Sequence, residues 1–190
     1  MNPSPTRHPA LLRAEDSLLV VVDMQEPFLR HVWERERVLK KAATLIQAAA
    51  ILHVPVVATT QNAQRMGGPV PEVAALLPPG APFDKMSFSC AAESGFALDL
   101  RRRGHRQVIL CGVETHICVS QTAHDLITQG YQVHIVADAV SSRSERDWQT
   151  GLRRMEQRAG IIITSTEMAI YELLFQAGTP EFREVLKLIK

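Results

Sequence analysis

The chain has 190 residues, 46% of them hydrophobic, enough to fill one compact domain with a core of its own. Its 21 Lys and Arg nearly balance its 20 Asp and Glu, for a formal net charge of +1, so no general basic field draws it to nucleic acid or to an anionic membrane. The runs Arg101-Arg102-Arg103 and Arg153-Arg154 carry no interleaved aromatics and read as solvated helix faces.

Three cysteines (Cys90, Cys111 and Cys118) are too few and too irregularly spaced for a disulfide framework, and they fit a reducing, cytoplasmic setting. Residues 1–15 hold Pro3, Pro5 and Pro9 with only a short apolar run; they read as a flexible arm rather than a signal peptide. No apolar run approaches the length of a membrane span. Residues 16–190 are expected to form a single domain.

The first core element is a strand over 17–23, a continuous apolar run closing on Asp23. A strand apolar on both faces belongs in a parallel sheet covered by helices, and an acid at its carboxyl end stands where open α/β sheets place ligands. Beyond the loop 24–28, Val38, Ala42, Leu45, Ile46 and Ala49 recur at helical spacing and predict a helix over 32–52. A second strand follows at 54–60, with Pro55 near its start. The connection 61–82 is long and rich in Gly and Pro, which reads as a functional loop with one short helical piece at 73–77.

A short strand over 83–88 and a helix over 94–103 lead to a fourth strand at 107–111. The turn at Gly112 then opens a helix over 115–129, whose first turn carries Cys118. A strand over 131–138, a helix over 145–158, a strand over 161–164 and two helices (167–176 and 180–189) complete the chain. This alternation predicts an α/β fold: a three-layer, doubly wound, mainly parallel sheet of six strands.

The common cofactor signatures are missing: no G-x-G-x-x-G follows the first strand, and neither G-x-x-x-x-G-K-[ST] nor G-x-S-x-G occurs. Cys111, His116 and Cys118 lack a usual zinc-ligand spacing, so no metal and no cofactor are expected. What remains at the carboxyl-end edge of the sheet is an acid, a base and a thiol: Asp23, Lys85 and Cys118. A thiol near a helix start faces free N–H groups that favour thiolate. An amide hydrolase using sulfur also needs a group to move the thiol proton, a cation to hold the thiolate, and donors for the oxyanion. Taken singly, each residue has an ordinary alternative: Asp23 as a cap, Lys85 as a loop cation, Cys118 as core.

Val20-Val21-Val22-Asp23-Met24-Gln25, Lys85-Met86-Ser87-Phe88 and Gly112-Val113-Glu114-Thr115-His116-Ile117-Cys118-Val119 resemble, in order, the three signature segments of the isochorismatase-like cysteine hydrolases. The stretch from Gln129 through Asp138 to Arg143 also resembles the isochorismatase domain-containing branch of that family. The resemblance implies a catalytic set of Asp23, Lys85 and Cys118, and a cis peptide between Val113 and Glu114. It further implies an oxyanion site made by the backbone N–H groups of Glu114 and Cys118. Nicotinamidases of the family hold a metal through an Asp-x-His segment after the second strand, where this chain has Gln61-Asn62-Ala63-Gln64.

The activity expected on these grounds is metal-independent hydrolysis of a small amide-like C–N substrate through a thioester. The alternatives are a weakly catalytic or non-catalytic binding protein on the same fold, vinyl ether hydrolysis of the isochorismatase type, and redox sensing by Cys118 with Cys90 or Cys111 as resolving partner. Gln25, Phe28, Trp33, Gln61, Phe88 and His116 are the candidate pocket walls. The partners expected are a small molecule and further copies of the chain, with no nucleic acid and no membrane.

Overall fold

The computed structural model describes residues 7–80 and 82–189. Its core is a six-stranded sheet in the order β3-β2-β1-β4-β5-β6, in which every neighbouring pair is parallel. The strands are β1 (Ser17–Val22), β2 (Val56–Gln61), β3 (Phe83–Lys85), β4 (Gln107–Val113), β5 (Gln132–Ser141) and β6 (Ile161–Thr164). The longer helices are α2 (Arg35–Ile51), α5 (Ser94–Arg103), α6 (Ser120–Thr128), α7 (Glu145–Glu156), α8 (Thr166–Leu174) and α9 (Pro180–Ile189). Three single turns, α1 (Glu26–Leu29), α3 (Ala63–Met66) and α4 (Pro71–Ala74), lie in the loops.

All six residues of β1 are buried, which is why its apolar run shows no alternation. Successive side chains still part to opposite faces. Leu19 and Val21 join Ile109, Cys111 and Val113 of β4 beneath α2, α8 and α9. Leu18, Val20 and Val22 join Val108 and Leu110 beneath α5, α6 and α7, where Phe96, Leu126 and Met155 fill the layer. Two helical layers sandwich one sheet.

Local chemistry sets several boundaries. Gly104 ends α5 in left-handed backbone at φ 74. Ser144 caps α7 by accepting the Asp147 N–H at 3.1 Å. Ser165 does the same for α8 with the Met168 N–H at 3.3 Å.

The chain departs from the expectation in several places: the third strand is Phe83–Lys85 rather than 83–88, and the loop after β2 holds two short turns, Ala63–Met66 and Pro71–Ala74, rather than one at 73–77. β4 does not stop at Gly112 but runs to Val113, and β5 extends to Ser141 beside it, past a register shift between Leu110 and Gly112. The helix predicted over 115–129 begins as a π-helical turn, Thr115–Val119, before α6. The part of the predicted arm that is described is docked rather than loose: Leu12 is fully buried. Its N–H donates to Glu172 Oε2 at 2.9 Å, and the Arg13 N–H donates to Gln107 Oε1 at 2.8 Å. Residues 1–6 of that arm lie outside the described residues. No described helix is long and apolar enough to cross a membrane.

Candidate active site

Parallel strands bring all their carboxyl ends to one edge, and β1 has β2 on one side and β4 on the other. The loops leaving β1 and β4 therefore diverge and open a crevice, the usual ligand position in a doubly wound sheet. Asp23 stands directly after β1 in left-handed backbone, φ 49, with the Gln25 N–H donating to its carbonyl at 2.7 Å.

Lys85 is the last residue of β3 and pairs in register with Gln61 of β2. Its Nζ donates to Asp23 Oδ2 at 2.7 Å, to Gln61 Oε1 at 2.6 Å and to the Ser87 carbonyl at 3.3 Å. The Thr59 hydroxyl donates to the other Asp23 oxygen, Oδ1, at 2.8 Å. The carboxylate is thus held at both ends, one of them by a charge-assisted bond. Burial works against the Lys85 ammonium and the Asp23 carboxylate favours it; on balance its pKa is raised.

Gly112 makes the close approach of β4 to β1 possible. At φ 111, a Cβ there would stand 2.1 Å from the Val22 carbonyl oxygen, so only glycine fits. The next peptide bond, Val113–Glu114, is cis. The Glu114 carbonyl then accepts from the N–H groups of Ile117 at 3.1 Å and Val119 at 3.2 Å, closing the wide turn that carries Cys118.

Cys118 is 8% exposed, and Asp23 and Cys118 line one cavity. Burial, and after it the Asp23 charge, push the Cys118 thiol up to about 12, against the opposing pull of Lys85. The expected resting thiolate is therefore corrected. Lys85 and the helix start favour the anion, but the Asp23 carboxylate and the dry surroundings oppose it more strongly. The thiol is protonated at neutral pH and sits beside a carboxylate that can take its proton.

The cavity has a volume of about 310 Å³, with Pro27, Phe28, Phe88, Val113 and Ile117 as apolar walls and Gln61, Glu114, His31 and Arg143 as polar ones. Of the expected wall residues, Phe28, Gln61 and Phe88 line it, and Gln25, Trp33 and His116 do not. The Gln25 side chain is committed elsewhere. Its Oε1 accepts the Gln61 N–H at 2.7 Å and its Nε2 donates to the Gly67 carbonyl at 2.6 Å, which ties the loop after β2 to the loop after β1. Trp33 packs on Trp148 at 5.1 Å between ring centroids, with the Arg37 guanidinium over both rings. His116 Nδ1 lies 2.9 Å from Ser142 Oγ.

Pro27, His31, Val113, Ile117 and Arg143 line the cavity without having been expected there. Arg143 had a signal: it follows β5 at the same edge of the sheet and closes a stretch that resembles the family. Among the described residues, no group of three or more His, Cys, Asp or Glu side chains is placed to share a metal ion.

The fold and this crevice define a class of hydrolase. Residues 17–167 match the Isochorismatase domain model. The chain is 41% identical over 193 residues to the secreted isochorismatase effector Isc1 of Phytophthora sojae, covering 98% of this chain and 90% of that protein. It is also 41% identical over 180 residues to isochorismatase domain-containing protein 2 of Danio rerio, covering 94% and 89%. A solved structure described as the MAR1 ribonuclease from Caenorhabditis elegans superposes with a TM-score of 0.87 at 38% identity, over 94% of this chain and 92% of that one. The chain belongs to the isochorismatase family.

Proposed function

We propose that the protein is a metal-independent cysteine hydrolase that cleaves the C–N bond of a small amide. The observation that carries this reading is the meeting of Asp23, Lys85 and Cys118, from β1, β3 and the turn after β4, beside one cavity of about 310 Å³. Asp23 takes the Cys118 proton as sulfur attacks the carbonyl carbon, and the oxyanion rests on the N–H groups of Glu114 and Cys118. The C–N bond breaks as Asp23 returns the proton to the leaving amine. Water then attacks the thioester, giving one proton to Asp23 and, through it, to the departing Cys118 sulfur. Lys85 keeps the Asp23 carboxylate in place throughout.

A thiol raised to about 12 suits this order of events, because proton transfer and attack occur together and no stored thiolate is needed. Small cavity volume and balanced charge favour a small molecule over a polynucleotide, although a 38% identical structure is described as a ribonuclease. The reading includes a cytoplasmic setting, supported by three buried, unpaired cysteines. It also includes assembly with further copies of the chain. Met168, Tyr171 and Phe175 are exposed at helical spacing along α8 and just past its end, and sedimentation velocity tests that assembly.

The test of the activity is ammonia release from a panel of small primary amides by the wild type and by Cys118→Ala. Release that disappears in the variant supports the reading; equal release by both overturns it.

A further inference from the structure

The charges that reach the cavity are paired. Asp23 is held by Lys85 at 2.7 Å, and Glu114 Oε1 lies 3.3 Å from Arg143 Nε. The Glu114 side chain is 11% exposed and that of Arg143 is 59% exposed, so the carboxylate is fixed in the wall and the guanidinium stands at the mouth. His116 Nε2 lies 3.9 Å from Glu114 Oε2 and does not line the cavity. Gln61 is uncharged, and His31 sits at the exposed rim. All the other lining residues apart from Cys118 are apolar.

An unpaired arginine at a pocket mouth is well suited to hold a substrate carboxylate through two parallel hydrogen bonds. In this chain the guanidinium already has a carboxylate neighbour, which offsets part of its charge. A substrate carboxylate brought to the same place would meet the Glu114 carboxylate as well as Arg143. Apolar walls would also strip its water without replacing it. A neutral substrate meets neither cost.

We infer that the Glu114–Arg143 pair sets the substrate class: small uncharged amides with an apolar tail are admitted and carboxylate-bearing ones are refused. This rests on the amidohydrolase reading of the site. Glu114 then has two functions, with its backbone N–H facing the oxyanion and its side chain offsetting part of the Arg143 charge. Rejection here works by an unfavourable juxtaposition rather than by loss of an attraction.

The test needs no known substrate. Iodoacetamide and iodoacetate differ by a neutral amide against a carboxylate, and both alkylate sulfur. The rates of each at Cys118, measured at pH 9 by mass spectrometry, give a ratio in which any change in the thiol itself cancels. Glutathione supplies the ratio for an open thiol.

The wild type is expected to discriminate against iodoacetate more strongly than glutathione does. Glu114→Gln keeps an acceptor for Arg143 but removes the charge, and is expected to raise the iodoacetate-to-iodoacetamide ratio about fivefold, less at high salt. The double variant Glu114→Gln/Arg143→Gln is expected to return to the low ratio. A ratio unmoved by Glu114→Gln, or a wild type no more selective than glutathione, would overturn the inference. So would a Cys118 that neither reagent reaches, since a cavity closed to both selects neither. Selective labelling by a wild type that hydrolyses no amide would leave the charge rule standing and sink the amidohydrolase reading instead.

Discussion

Lys85 Nζ lies 2.7 Å from Asp23 Oδ2, and each side chain is only 1% exposed. A charge pair this dry is costly to break from one side, because the partner is left alone in low dielectric. Lys85→Met is therefore expected to lower stability by about 3–5 kcal/mol in urea unfolding. Lys85→Met/Asp23→Asn, which removes both charges, should lose less than the single variant. A single variant as stable as the wild type would mean that the pair is not held as described.

The same pair controls the thiol. With the Cys118 thiol pushed up to about 12, its thiolate fraction, and hence its alkylation rate, should rise about tenfold per pH unit from pH 7 to pH 9 without a plateau. Asp23→Asn removes the negative charge that opposes ionisation. It should speed alkylation at pH 8 while stopping turnover, two effects of opposite sign from one substitution. A plateau below pH 8 in the wild type would contradict the protonated resting state.

Much of this arrangement was legible in the chain. The apolar runs of β1 and β4 announced a parallel sheet, and Asp23, Lys85 and Cys118 lay in segments that resemble the family in order. The directions taken by loop side chains were not legible. Gln25, Trp33 and His116 have the composition of pocket walls, but their partners (Gln61 and Gly67, Trp148, Ser142) come from distant segments that no local pattern specifies. The protonation of Cys118 was hidden for a related reason. Its position near a helix start is local, whereas the burial that raises its pKa, and after it the Asp23 charge, come from segments distant in the chain.

Gly112 marks where backbone alone decides the site. Gly112→Ala would drive a Cβ against the Val22 carbonyl at a φ of 111. The expected loss is roughly 3 kcal/mol, with β1 and β4 forced apart at the edge that carries Asp23 and Glu114. Chemical denaturation measures the loss; a variant within 1 kcal/mol of the wild type would show that the strands part easily, roughly the range of an unstrained substitution.

His134 lies fully buried in β5, with its pKa lowered to about 4 by burial. A depressed histidine favours the folded chain when neutral. Its contribution is present above the unfolded value of about 6.5 and is lost as the pH falls from there through about 4. Urea midpoints should fall more steeply between pH 6.5 and pH 4 in the wild type than in His134→Leu, the range set by those two values. Parallel curves would mean that His134 takes up its proton equally in both states.

The central claim is that sulfur carries the acyl group. The direct test is to mix the protein with an excess of a small neutral amide, quench in acid within the first turnovers, and read the intact mass. The account predicts an acyl adduct on Cys118 that hydroxylamine removes and that Cys118→Ala never forms. Amide hydrolysis that proceeds with no adduct, and continues in Cys118→Ala, would contradict it.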